Sequence, residues 1–82
     1  MKLNEGLQDL IFHYCIINCK RQVSLIVMSP KTFEDMMLES PLNTTERFLV
    51  DKKYGKGYFD LRYRGIKVLR SLDLPDGKFE IA

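Results

Sequence analysis

The residues best suited to chemistry in this chain are His13, Cys15 and Cys19, and their spacing limits what they can do. A thiol nucleophile needs a base within hydrogen-bond reach. Two positions apart on a helix, His13 and Cys15 point to different faces. Cys15 and Cys19 are four apart, one turn along the same face, which is poor geometry for an internal bridge. A closed zinc site takes about four ligands, and the sequence has no second cluster to complete one. The cysteines therefore read as reduced, structural thiols made in a reducing compartment, with no metal and no cofactor expected.

The remaining reactive types fare no better. Ser24, Ser29, Ser40 and Ser71 fall where a strand, a helix cap or a turn accounts for them. Gly55-Lys56-Gly57 lacks the leading glycine, the following Ser/Thr and the helix of a phosphate-binding loop, so it reads as part of a hairpin. Glu34-Asp35 is a carboxylate pair on a helix exterior, where solvation is the default. No catalytic residue is expected, and the chain is read as a non-enzyme.

The elements that would position these residues follow from periodicity. Leu3, Leu7, Leu10, Tyr14 and Ile17 recur at helical spacing, with Asn4 as N-cap and Lys20 and Arg21 at the C-terminal end. Ile11, Phe12 and Ile16 widen the stripe, so this helix is expected to bury more than one face. Val23 to Met28 is apolar on both pleat faces and reads as a central strand covered on both sides. Ser29-Pro30 caps and starts a short helix, with Phe33, Met36 and Met37 inward and Glu34, Asp35 and Glu39 outward. Ser40-Pro41 stops it. Leu42 to Arg47 reads as a polar connection.

From Phe48 onward the period changes to two. Phe48-Leu49-Val50 is a strand and Lys52 to Gly57 a hairpin loop. Phe59, Leu61 and Tyr63 then face one way, and Asp60, Arg62 and Arg64 the other. Arg64-Gly65 turns the chain into Ile66-Lys67-Val68. Pro75-Asp76-Gly77 turns it into the last strand, Phe79-Glu80-Ile81. The expectation is a single α+β domain over residues 1–82. An N-terminal amphipathic helix, a central strand and a short helix are followed by an antiparallel β-meander, in the order α-β-α-β-β-β-β.

Composition agrees with one small core. The 82 residues are 45% hydrophobic and 29% charged. A domain of this size buries roughly 60–65% of the surface its unfolded chain exposes, so a partner or further copies would add stability. The stretch Leu7 to Cys19 carries Gln8, Asp9, His13 and Asn18, too polar for a secretory leader or a membrane span. The expected site of synthesis is a cytoplasm, with no membrane partner.

Charge is distributed unevenly although the formal balance is only +2. Between Lys52 and Arg70 stand seven basic residues and one acid; between Ser29 and Asp51, five acids and two basic residues. The interface candidates are therefore Lys52, Lys53, Tyr54, Lys56, Tyr58, Arg62 and Arg64 on the basic side and Glu34, Asp35 and Glu39 on the acidic side. Three readings fit: a solvated sheet face, head-to-tail association of copies, or nucleic-acid contact through the basic hairpin with tyrosines as stacking groups.

Three stretches also carry a family likeness. Ser24-Leu25-Ile26-Val27-Met28-Ser29-Pro30-Lys31-Thr32-Phe33 resembles the strand-to-helix passage in the axial domain of tailed-bacteriophage major capsid proteins. Tyr63 to Ser71 is similar to that family's Gly-x-x-Val strand, and Leu74-Pro75-Asp76-Gly77 to the Pro-x-Gly turn after it. This chain has no room for the N-terminal arm, extended loop and peripheral domain of such coat proteins. The resemblance therefore implies a reduced relative: a minor head, vertex, connector or decoration protein. It would be assembled in the host cytoplasm into a virion and bind other virion subunits or its own copies. The alternative is a small phage-encoded inhibitor or accessory protein acting on a host protein or nucleoprotein complex.

Overall fold

Leu25–Met28 is an apolar run closed by Ser29-Pro30, and in the computed structural model of the chain it forms β1, the strand around which the sheet is built. The structure describes residues 3–18 and 21–82. Helix α1 (Leu3–Ile17) precedes β1. Helix α2 (Pro30–Glu39) and strands β2 (Thr44–Asp51), β3 (Lys56–Tyr63), β4 (Ile66–Arg70) and β5 (Phe79–Ile81) follow it. The fold is α+β in the order the periodicity predicts.

The sheet runs β2-β3-β4-β1-β5. β2, β3 and β4 form an antiparallel meander, as expected, and β1 then lies parallel to β4 with Ile26 opposite Val68. The last strand does not extend the meander. β5 passes to the far side of β1 and pairs antiparallel there, Met28 opposite Phe79 and Ile26 opposite Ile81.

Both helices lie on one face. Leu7 of α1 and Phe33 and Met36 of α2 share a single core with Val23, Ile26, Met28, Leu61, Tyr63 and Val68. The expectation that β1 is covered on both sides is thus incorrect: Leu25 and Val27 point to the opposite face and are only half-buried. Two helices of 15 and 10 residues suffice for one layer, and both are recruited to the same side.

Several local expectations also need correction. Asn4 does not cap α1; it sits inside the helix and its Oδ1 accepts from the Tyr63 hydroxyl and, at 3.3 Å, from Asn43 Nδ2. Glu39 is not turned to solvent. Its carboxylate accepts from the backbone N–H of Leu3 and of Asn4, at 3.3 and 2.9 Å, placing a negative charge at the start of α1. The core side of α1 is Leu3, Leu7, Ile11 and Tyr14, whereas Leu10, Phe12, Ile16 and Ile17 are exposed, because only one layer lies beneath the helix. Lys20 and Cys19 lie outside the described residues, Arg21 is exposed beyond the helix end, and Cys15 is a half-buried free thiol. Thr44 to Arg47 is strand rather than connection, and Lys56 and Gly57 belong to β3, leaving a four-residue loop, Lys52–Gly55.

The turns behave as their residues dictate. Ser29 Oγ accepts from the Thr32 N–H at the start of α2, with Pro30 in the first turn. Ser29 also donates to Asp76 Oδ1 at 2.7 Å, and Thr32 Oγ1 accepts from the Gly77 N–H at 2.8 Å. These bonds fasten the turn before β5 to α2. Between β3 and β4, Arg64 and Gly65 both have positive φ (49° and 85°), which the twist of a two-residue hairpin requires. For Arg64 that conformation costs on the order of 1 kcal/mol.

The carboxylate of Glu39 satisfies two amides that α1 cannot satisfy itself. Glu39→Ala is expected to lower unfolding free energy by about 0.5–2 kcal/mol, read by urea titration. The loss should appear first as reduced helicity of α1 in amide chemical shifts.

Candidate interaction surface

Strand length explains why part of this sheet leaves the domain. β2 and β3 have eight residues each, roughly 26 Å of chain, whereas β1 has four and α2 spans only about 15 Å. The pairs Thr44↔Tyr63 and Thr45↔Arg62 lie beside the core. Those from Arg47↔Asp60 to Asp51↔Lys56 run beyond it as a two-stranded ribbon. β4 follows β3 only through Tyr63↔Ile66 and Arg62↔Lys67. Above that register the strands part around a cleft of about 360 Å³, lined among others by Leu49, Tyr58, Asp60, Arg62, Lys67 and Leu69.

The ribbon is apolar on its helix side, whereas on the other face Leu49 and Tyr58 lie between the charged pairs Arg47↔Asp60 and Asp51↔Lys56. On the helix side, Phe48 (60% exposed), Val50 and Phe59 (54% exposed) have no cover. Phe48 and Phe59 are cross-strand neighbours in an edge-to-face pair with ring centroids 5.2 Å apart. The Phe48 ring also lies over Gly57, where a Cβ would come within 2.0 Å of its Cζ. Gly57 is therefore a contact glycine rather than a loop glycine. On the opposite face Leu49 pairs with Tyr58, and Leu69 is half-exposed beyond them.

The structure separates the residues that charge patterning grouped. Lys52, Lys53 and Tyr54 occupy the tip, with Lys53 Nζ 5.4 Å from the Tyr54 ring centroid, and Lys56 follows at the start of β3. Tyr58 and Arg62 lie on the open face. Arg62 bonds Asp60 Oδ2 at 3.2 Å and the Gly65 carbonyl at 3.1 Å. Arg64 is at the other end of the hairpin, in the turn. There it lines a cleft of about 450 Å³ with Gln8, Ile11, Phe12, Cys15 and Ile66. On α2, Glu34 is exposed, Asp35 half-buried and Glu39 engaged in the cap. α2 covers the face opposite Tyr58 and Arg62, so these two lie across the sheet from the acidic helix, whereas Arg64 stands beside α1.

What charge patterning missed is the apolar part: Phe48, Val50 and Phe59. Alternation set Phe59 on one face with Leu61 and Tyr63, and Phe48 and Val50, which read only as strand, share that face. The strand lengths that carry them past the helices were not readable, since Thr44 to Arg47 read as a connection and Lys56-Gly57 as loop.

Among the described residues, no group of three or more His, Cys, Asp or Glu is placed to hold a metal ion, and no helix is long and apolar enough to cross a membrane. Every buried side-chain nitrogen or oxygen among them has a hydrogen-bond partner. Comparison with protein-family models, with curated proteins and with solved structures found no match.

The stacking of Phe48 on Gly57 has a direct spectroscopic consequence. One Gly57 Hα resonance is expected upfield of its usual position through the ring current, returning to it in Phe48→Leu. An unshifted Gly57 Hα in the unmodified chain would contradict this packing.

Proposed function

We propose that this chain is a non-enzymatic assembly protein, a minor structural component of a bacteriophage virion, that binds other virion subunits or its own copies through the β2–β3 ribbon and the adjoining open sheet face. The observation that carries the binding role is the ribbon itself: an aromatic and aliphatic surface rimmed by Lys52, Lys53 and Lys56, outside the core that stabilises the domain. Exposed apolar surface bordered by charge is the usual anatomy of a protein interface.

The virion setting rests on the resemblance to capsid axial domains. The three stretches that carry it lie together. β1 runs parallel to β4, and the Ser29-Pro30 passage is hydrogen-bonded to the Pro75-Asp76-Gly77 turn through Asp76 and Gly77. That arrangement makes one contiguous body of the similar segments and leaves the ribbon as the part free to vary between partners.

The test is incorporation. Epitope-tagged chain produced during infection is expected to band with gradient-purified phage particles. The triple reversal Lys52→Glu, Lys53→Glu and Lys56→Glu is expected to reduce that fraction at least about tenfold while leaving the melting temperature nearly unchanged, since all three side chains are exposed. Chain found only with a soluble host complex, or reversal variants incorporated at the normal level, would contradict the reading.

A further inference from the structure

The outer edge of β2 is charged and apolar in an order that matches itself when reversed. Residues 46–52 read Glu46, Arg47, Phe48, Leu49, Val50, Asp51, Lys52. Written antiparallel to itself about Leu49, Arg47 falls opposite Asp51 and Glu46 opposite Lys52. Phe48 then meets Val50, and Leu49 meets its own copy. Centring on Arg47 instead sets two arginines face to face. Centring on Phe48 leaves Arg47 opposite Leu49 and Glu46 opposite Val50, with no charge paired. One register alone satisfies every charge.

Backbone geometry permits the same register. β2 is an edge strand whose neighbour in the sheet is β3. The Asn43 carbonyl accepts from the Arg64 N–H, and the Asp51 carbonyl from the Gly55 N–H, both at 2.7 Å. The odd-numbered residues of β2 thus direct their backbone groups toward β3. By the alternation of an antiparallel ladder, Glu46, Phe48 and Val50 direct theirs outward. With the axis at Leu49, Phe48 and Val50 of the two copies stand opposite each other as hydrogen-bonding pairs.

From this we infer that two copies of the chain pair antiparallel through β2, about a two-fold axis at Leu49, joining their five-stranded sheets into one. Such an interface is isologous and closes on itself, unlike a head-to-tail chain of copies. A two-fold axis perpendicular to the sheet keeps the faces in common, so the Phe48–Phe59 pairs of both copies meet on the helix side. Leu49 and Tyr58 of both copies meet on the other. The apolar edge that the helices are too short to cover is then flanked by its counterpart, each Phe48 packing beside Val50 of the other copy. Among the described residues Glu46 and Lys52 have no partner within their own chain, which leaves both available across the axis.

The inference deepens the assembly reading by naming a second copy as one partner, and it rests on that reading's use of the ribbon. Light scattering across a concentration series reads the mass of the purified chain. A species of twice the 9.6 kDa chain mass is expected at high concentration. Glu46→Lys places like charges opposite each other twice per dimer and should weaken it roughly tenfold, as should Lys52→Glu. The double variant exchanges the charges and should recover the dimer. Val50→Pro removes an outward N–H without touching the β3 ladder and should yield a folded monomer, its fold checked by circular dichroism. A chain monomeric at every concentration, a dimer indifferent to both single reversals, or a double variant no tighter than the singles overturns the inference. A monomer still incorporated into particles would leave the assembly reading standing, whereas a dimer never found in particles would do the reverse.

Discussion

A five-stranded sheet with, among the described residues, only 25 in helices to cover it is the constraint from which the rest of this structure follows. The helices gather on one face because a shared core of Leu7, Phe33, Met36, Ile26, Met28 and Tyr63 buries more apolar area than two half-covered faces would. The opposite face keeps Leu25, Val27, Leu69 and Tyr58 at or near solvent. The far part of the long β2–β3 pair overshoots the helices. Its exposed aromatic groups are a consequence of geometry before they are a matter of function, and the function proposed here makes use of them.

So small a core needs fixing by other means, and polar contacts supply them. The Tyr63 hydroxyl, Asn4, Gln8 and Asn43 tie α1 to the base of the hairpin, while Glu39 neutralises the amide end of the same helix. At the other end of the sheet, Ser29 and Thr32 hold the turn before β5 against α2. Each bond contributes on the order of 1 kcal/mol, which matters when total stability is only about 5–10 kcal/mol. α1 is the element most dependent on them, since a single residue of it, Leu7, is fully buried.

Much of this architecture was readable in the residues. Ser29-Pro30 and Ser40-Pro41 bracket α2 because cap and proline chemistry act locally. The alternation through Phe59, Leu61 and Tyr63 fixed the inward face of β3, and Pro75-Asp76-Gly77 marked the turn into β5. What was not readable depended on contacts distant in sequence. Glu39 looks like any solvated carboxylate until the start of α1 is placed beside it. The partnership of β5 with β1 rather than β4 leaves no trace in a three-residue strand. For the candidate interaction surface, charge patterning grouped basic residues that the fold separates: Arg62 and Arg64, two apart in sequence, end in different places. The exposure of Phe48, Val50 and Phe59 was not readable, because alternation reports which way a side chain points, not whether anything lies above it.

The central claim is that the ribbon lies outside the cooperative core and is presented for binding. Amide hydrogen exchange along the chain in dilute solution tests it most directly. The account predicts that amides of Ile26, Met28 and Val68 open only with global unfolding, whereas those of Arg47–Asp51 and Lys56–Asp60 open locally at a much smaller free energy. Equal protection of the ribbon and β1 would contradict it, because the ribbon would then be part of the core rather than a surface held out to a partner.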